Sequence, residues 1–155
     1  MLDSAGVALT LLSLEDVTPF DEAPETGATF EENALAKARD AFRASGLPSV
    51  ADDSGLEVDA LNGMPGVLSA RWSGRHGDDA ANTTLLLAQL ADVPDSRRGA
   101  AFVSACALVS ESREVVVVTG AGDSRHGAGT RLPEDPRLPG LAPEADRFFA
   151  QLAKR

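Results

Sequence analysis

The chain has 155 residues, 43% of them hydrophobic, which is the length of one domain and enough apolar material for a real core. Its net charge of -10, with 14 basic residues that form no dense patch, disfavours binding to DNA or RNA and leaves a polyphosphate as a fitting anion only where a divalent cation lies between it and the protein. One cysteine, Cys106, rules out an internal disulfide framework, and no apolar run reaches the roughly 18 residues of a membrane helix, so a soluble protein without membrane partners, in the cytoplasm, is expected.

Val7 to Leu14 is a short apolar run without a basic start, which predicts a strand rather than a signal peptide. The acidic, proline-bearing "EDVTPFDEAPETGA" predicts a loop. Thr29 and Glu32 have the spacing of a capping box, and Phe30, Ala34, Ala38, Ala41 and Phe42 recur at helical spacing up to Gly46, which predicts a helix over about 30–45. "LPSVADDSG" predicts a short strand that ends on Asp52 and Asp53, followed by alternation at Leu56, Val58 and Ala60 and a turn at "NGMPG". Asp78 or Asp79 can cap a second helix through about Asp92, with Leu86, Leu87 and Leu90 as its buried stripe. "AAFVSACALV" and "EVVVV", parted by "SESR", predict a β-hairpin. The Gly-, Pro- and Arg-rich stretch after Thr119 shows no sustained period, which predicts a domain over 1–119 and a poorly ordered tail over 120–155.

The sharpest chemical signal is Asp52-Asp53-Ser54-Gly55. Neighbouring strand residues face opposite ways, so one carboxylate can enter a cleft and bind a hard cation or take a proton from water. An Asx turn is the competing reading of the same four residues. Glu22 and Glu25 precede the capped helix, where a loop carboxylate can share a metal with a phosphate, although on local sequence alone a solvated acidic loop is the better account of them. Asn33 and Lys37 lie four apart and share a helix face. Arg71 and Trp72 can pair a cation with a stacking ring, or can be a surface arginine beside a core tryptophan. His76 and His126, with one cysteine, offer no zinc spacing, and Ser54 has no serine-hydrolase context.

"ETGATFEENALAKARDAF", "LPSVADDSGLEVDALNGMPGVLSARWSG" and "RRGAAFVSACAL" resemble, in order and spacing, the inosine-triphosphatase family over about residues 7–118. The resemblance implies an elongated α/β domain with a mixed sheet flanked by helices and a central cleft, assembled as a homodimer. It also implies hydrolysis of non-standard purine nucleoside triphosphates (ITP, dITP, XTP) to the monophosphate and pyrophosphate, with Mg2+ as cofactor. On the matching positions, Asp53 is the implied catalytic proton acceptor and a metal ligand, and Glu25 is the second metal carboxylate, with Glu22 as its rival. Ser54, Asn33, Lys37 and Arg71 are the implied substrate-binding residues.

Three features of the family have no match in the chain: the opening [T/S]-x-N-x-x-K phosphate loop, F-G-Y-D-P, for which only "LPEDP" with Asp135 stands in, and S-H-R-G. This pattern predicts a piece of a longer protein. A nucleotide-sensing or dimerisation module is the competing function, and a modified pyrimidine nucleotide is the competing substrate.

Overall fold

The computed structural model describes residues 10–21, 24–122 and 130–131. Of the strand expected over Val7–Leu14, residues 7–9 lie outside that set, and Thr10–Ser13 form no strand. Leu14–Asp16 instead make a 3-10 turn, because Ser13 donates both its backbone N–H and its hydroxyl to the Asp16 carboxylate, each at 2.8 Å. A serine and an aspartate three apart offer the backbone a local alternative to a sheet ladder.

Helix α1 spans Phe30–Ser45. Thr29 accepts the Glu32 N–H at 3.2 Å, while the Glu32 carboxylate reaches past Thr29 to accept the Ala28 N–H at 2.7 Å. The expected cap is therefore present, with its return bond moved one residue outward. Gly46 ends the helix at φ 70, a left-handed conformation that favours glycine, and its N–H donates to the Phe42 carbonyl at 2.8 Å.

Strand β1 runs unbroken from Ser49 to Val58. Asp52 and Asp53 thus lie in mid-strand, which corrects both the strand end and the Asx turn considered for "DDSG". The glycine there has a packing reason instead. A Cβ on Gly55 would lie 2.5 Å from the Gly66 carbonyl oxygen and 2.8 Å from a Phe30 ring carbon. Interior strand glycines commonly mark such close approaches.

Helix α2 covers Asp79–Gln89, capped by the Asp78 carboxylate on the Ala81 N–H at 3.2 Å. It stops short of the expected Asp92. The buried Arg98 guanidinium donates to the carbonyls of Leu90 at 2.6 Å and Val93 at 2.7 Å, so the chain after Leu90 turns around that side chain. Strands β2 (Gly99–Ser110) and β3 (Arg113–Gly122) form the expected hairpin, and β4 (Thr130–Arg131) pairs with the start of β2. The sheet order is β1-β2-β3, and every described pairing is antiparallel where the resemblance implies a mixed sheet. Strand β3 also continues past the expected domain boundary at residue 119.

The fold is α/β, and two apolar clusters divide along the two faces of the sheet. On one face Phe30, Ala34 and Ala38 of α1 pack on Ala101, Val103, Ala105, Ala107 and Val109 of β2. Alanines on both sides of this contact let the helix lie close to the sheet, which brings its next polar side chains within reach of β1. On the other face Leu56, Val58 and Ala100 bury against Leu86 and Leu90 near α2, with Trp72 against them. Cys106, expected within an apolar run, is exposed on that second face opposite Asp52.

Candidate active site

The period of two along β1 turns Asp53 toward α1 and turns Asp52 and Ser54 away from it. Asp53 is only 8% exposed. From the helix, Lys37 donates to Asp53 Oδ1 at 2.9 Å and Asn33 donates through Nδ2 to Oδ2 at 3.1 Å. Each carboxylate oxygen therefore has its own partner, four helix residues apart. The Lys37 ammonium also pairs with Glu25 Oε1 at 2.6 Å and donates to the Asp52 carbonyl at 3.3 Å, which uses all three of its hydrogens. Arg71, at the end of the 3-10 turn Gly66–Arg71, pairs with Glu25 Oε2 at 3.0 Å and donates to the Glu25 carbonyl at 3.3 Å. Asn33, Lys37, Asp53, Glu25 and Arg71 thus form one continuous chain of charged and polar contacts.

Electrostatics sorts the two acids. Burial pushes the Asp53 carboxyl above the usual aspartate range, and the nearby Glu25 charge adds to this; Lys37 and Asn33 pull the other way without cancelling it. Glu25 is also penalised by burial, but Lys37 and Arg71 outweigh that and hold it below the usual range. Burial opposes the charge on Lys37 as well, and its bonds to Asp53 and Glu25 raise its proton affinity above the ordinary lysine value. One carboxylate is a firm anion, and the other has a raised affinity for protons.

Ser54 does not join this group. Its hydroxyl donates to Asp52 Oδ2 at 3.2 Å and lies 3.0 Å from the Ser104 hydroxyl, on the opposite face of the sheet. Strand alternation is the cause, and it turns the Ser54 hydroxyl to the face opposite the Asp53 carboxylate. Arg71 and Trp72 diverge. The Trp72 indole N–H donates to Gln89 at 2.8 Å and its partly buried ring packs against the second apolar cluster, whereas Arg71 is tied to Glu25. Glu22, His126 and Asp135 lie outside the described residues. Gly27, not singled out beforehand, donates its N–H to Asn33 Oδ1 at 2.8 Å.

No group of three or more His, Cys, Asp or Glu placed to hold a metal occurs among the described residues. Mg2+ is commonly held by one or two carboxylates together with water and phosphate, so two acids suffice when the substrate supplies the remainder. Glu25 and Asp53 are two acids converging on one point: each places an oxygen against the same cation, the Lys37 ammonium, at 2.6 and 2.9 Å.

The fold and the site together define an α/β domain with a partly buried carboxylate cluster where a helix, the loop before it and a strand meet. The chain belongs to the Ham1 family, whose sequence model matches residues 1–127. It is 83% identical over 118 residues to the dITP/XTP pyrophosphatase of Mycolicibacterium paratuberculosis, covering 76% of this chain and 58% of that protein. The dITP/XTP pyrophosphatase of Nocardia farcinica is 74% identical over 121 residues, covering 77% and 59%. The chain therefore spans less than two thirds of the length of these curated relatives. Among solved structures, the nucleoside-triphosphatase, or dITP/XTP pyrophosphatase, of Mycobacterium abscessus is similar with a TM-score of 0.71 at 53% identity, covering 99% of this chain and 85% of that one. A HAM1 protein from Coxiella burnetii is similar with a TM-score of 0.60 at 29% identity, covering 87% and 82%. No helix among the described residues is long and apolar enough to cross a membrane.

Proposed function

We propose that the protein hydrolyses the non-standard purine nucleoside triphosphates ITP, dITP and XTP to the monophosphate and pyrophosphate, as a Mg2+-dependent cytoplasmic homodimer. The observation that carries this reading is the buried Asp53, held by Lys37 and Asn33 and set beside Glu25. High identity to relatives named dITP/XTP pyrophosphatase supports the substrate class.

Asp53 is the proton acceptor. A water oxygen attacks phosphorus, the bridging bond between the α- and β-phosphates breaks, pyrophosphate leaves with the bonding pair, and the water proton passes to the Asp53 carboxylate. A raised proton affinity suits that task, since a general base works best when its pKa approaches the working pH. Lys37 and Asn33 hold the acid in one orientation between them. Glu25 and Asp53 would hold Mg2+, which when bound neutralises phosphate charge and polarises the phosphoryl group. Arg71 fixes Glu25 from the far side and so acts through it, where the sequence suggested direct substrate contact.

Pyrophosphate release from ITP, measured over a Mg2+ titration in wild type and Asp53→Asn, tests the reading. Metal-dependent release that disappears in the variant is expected. A folded wild-type chain that releases none at any Mg2+ level would refute it.

A further inference from the structure

We propose that Asn33 is a positioning residue that sets the Asp53 carboxylate and the Glu25 loop relative to each other through the two ends of its side-chain amide. The sequence placed Asn33 among substrate-binding residues, but it is 2% exposed and both its polar atoms are engaged inside the protein. Nδ2 donates to Asp53 Oδ2 at 3.1 Å, and Oδ1 accepts the Gly27 N–H at 2.8 Å, two residues beyond Glu25.

Only one orientation of the amide satisfies both contacts, because one end faces a donor and the other an acceptor. The terminal torsion of an aspartate is broad, so a single partner leaves its carboxylate free to turn. Lys37 on Oδ1 and Asn33 on Oδ2 close that freedom from both sides. Asn33 does so without adding charge, which leaves Lys37 as the cation shared between Asp53 and Glu25.

The loop end of the bridge is equally constrained. A Cβ on Gly27 would fall 2.5 Å from Asn33 Oδ1, so the loop backbone approaches the amide as only glycine permits. Asparagine is the short side chain that both accepts from Gly27 and donates to Asp53. Aspartate would keep the first contact and set a like charge against the second. Alanine would lose both.

This inference rests on the pyrophosphatase reading, and its test separates the two. Wild type, Asn33→Asp and Asn33→Ala are compared in the full chain for folding by circular dichroism, ITP turnover, and Mn2+ affinity by electron paramagnetic resonance without nucleotide. Partners that orient metal ligands typically contribute about 10–100-fold to affinity or activity. Both variants are therefore expected to fold, to lose about 10–100-fold in kcat with KM within about threefold, and to bind Mn2+ at least about tenfold more weakly. Asn33→Asp should fare no better than Asn33→Ala despite keeping the Gly27 contact. If the alanine variant does not fold, the aspartate variant carries the test. The proposal is overturned if kcat and Mn2+ affinity stay within about twofold of wild type, if the loss falls on KM alone, or if only Asn33→Ala is impaired. A wild-type chain that neither turns over ITP nor binds Mn2+ overturns the pyrophosphatase reading, and this inference with it.

Discussion

Asp52 and Asp53 are joined by one peptide bond, yet the two faces of β1 give them different surroundings. Asp53 meets α1, where burial, an ammonium and an amide converge on it. Asp52 meets the hydroxyl of Ser54 on the other face, and its own carbonyl rather than its carboxylate is what Lys37 contacts. Strand alternation alone separates a candidate base from a neighbour of the same chemical type. In this strand two adjacent acids place one carboxylate against the helix and the other on the opposite surface, and the helix that packs alongside sets their difference.

The largest expected effect breaks that comparison directly. Asp53→Asn should lower ITP turnover by about 100- to 10,000-fold, the usual contribution of a positioned acid–base group, while Asp52→Asn should stay within about tenfold. Steady-state kinetics on the two variants decides this, and equal losses would end the distinction between the faces. Stability moves the other way. Because the Asp53 pKa is raised on folding, its contribution is complete below its unfolded value and is lost as pH rises through the folded value. Asp53→Asn should therefore unfold at neutral pH at the same temperature as wild type or higher, as calorimetry would show.

Next in size is a packing test of the same strand. Gly55→Ala forces a Cβ against the backbone oxygen of Gly66 and should cost about 1–3 kcal/mol by urea unfolding, the range for overfilling a tight contact. If Gly55 served a turn instead, the change would not depend on the residues packed over it. Glu25 offers a smaller, pH-dependent effect. Its pKa is lowered on folding, so its stabilisation is present above the ordinary glutamate range and is lost as pH falls through the folded value. The half-exposed pairs with Lys37 and Arg71 are worth on the order of 1 kcal/mol after solvent screening, so Glu25→Gln should be less stable than wild type at neutral pH by that amount. The gap should close in acid. The smallest effect belongs to Ser54→Ala, whose hydroxyl points away from the cluster; turnover should change by less than about threefold.

Much of this arrangement was legible in the sequence because it is periodic. The helical spacing of Phe30, Ala34 and Ala38 fixed α1, and with it the shared face of Asn33 and Lys37. The runs "AAFVSACALV" and "EVVVV", parted by the polar "SESR", made the hairpin of β2 and β3 legible. What misled was local polarity. "DDSG" looks like a turn because Asp, Ser and Gly favour turns, and only tertiary contacts hold those residues in an extended strand. The apolar stretch before Leu14 looked like a strand, but Ser13 and Asp16 bond to each other. The role of Gly27 depends on a contact six residues away, which no spacing rule predicts.

The most direct test of the central claim is pyrophosphate release from ITP at saturating Mg2+, compared between the folded wild-type chain and Asp53→Asn. Release by wild type that vanishes in the variant, with Asp52→Asn retaining most of it, is the predicted result. Release that survives in Asp53→Asn would contradict the account.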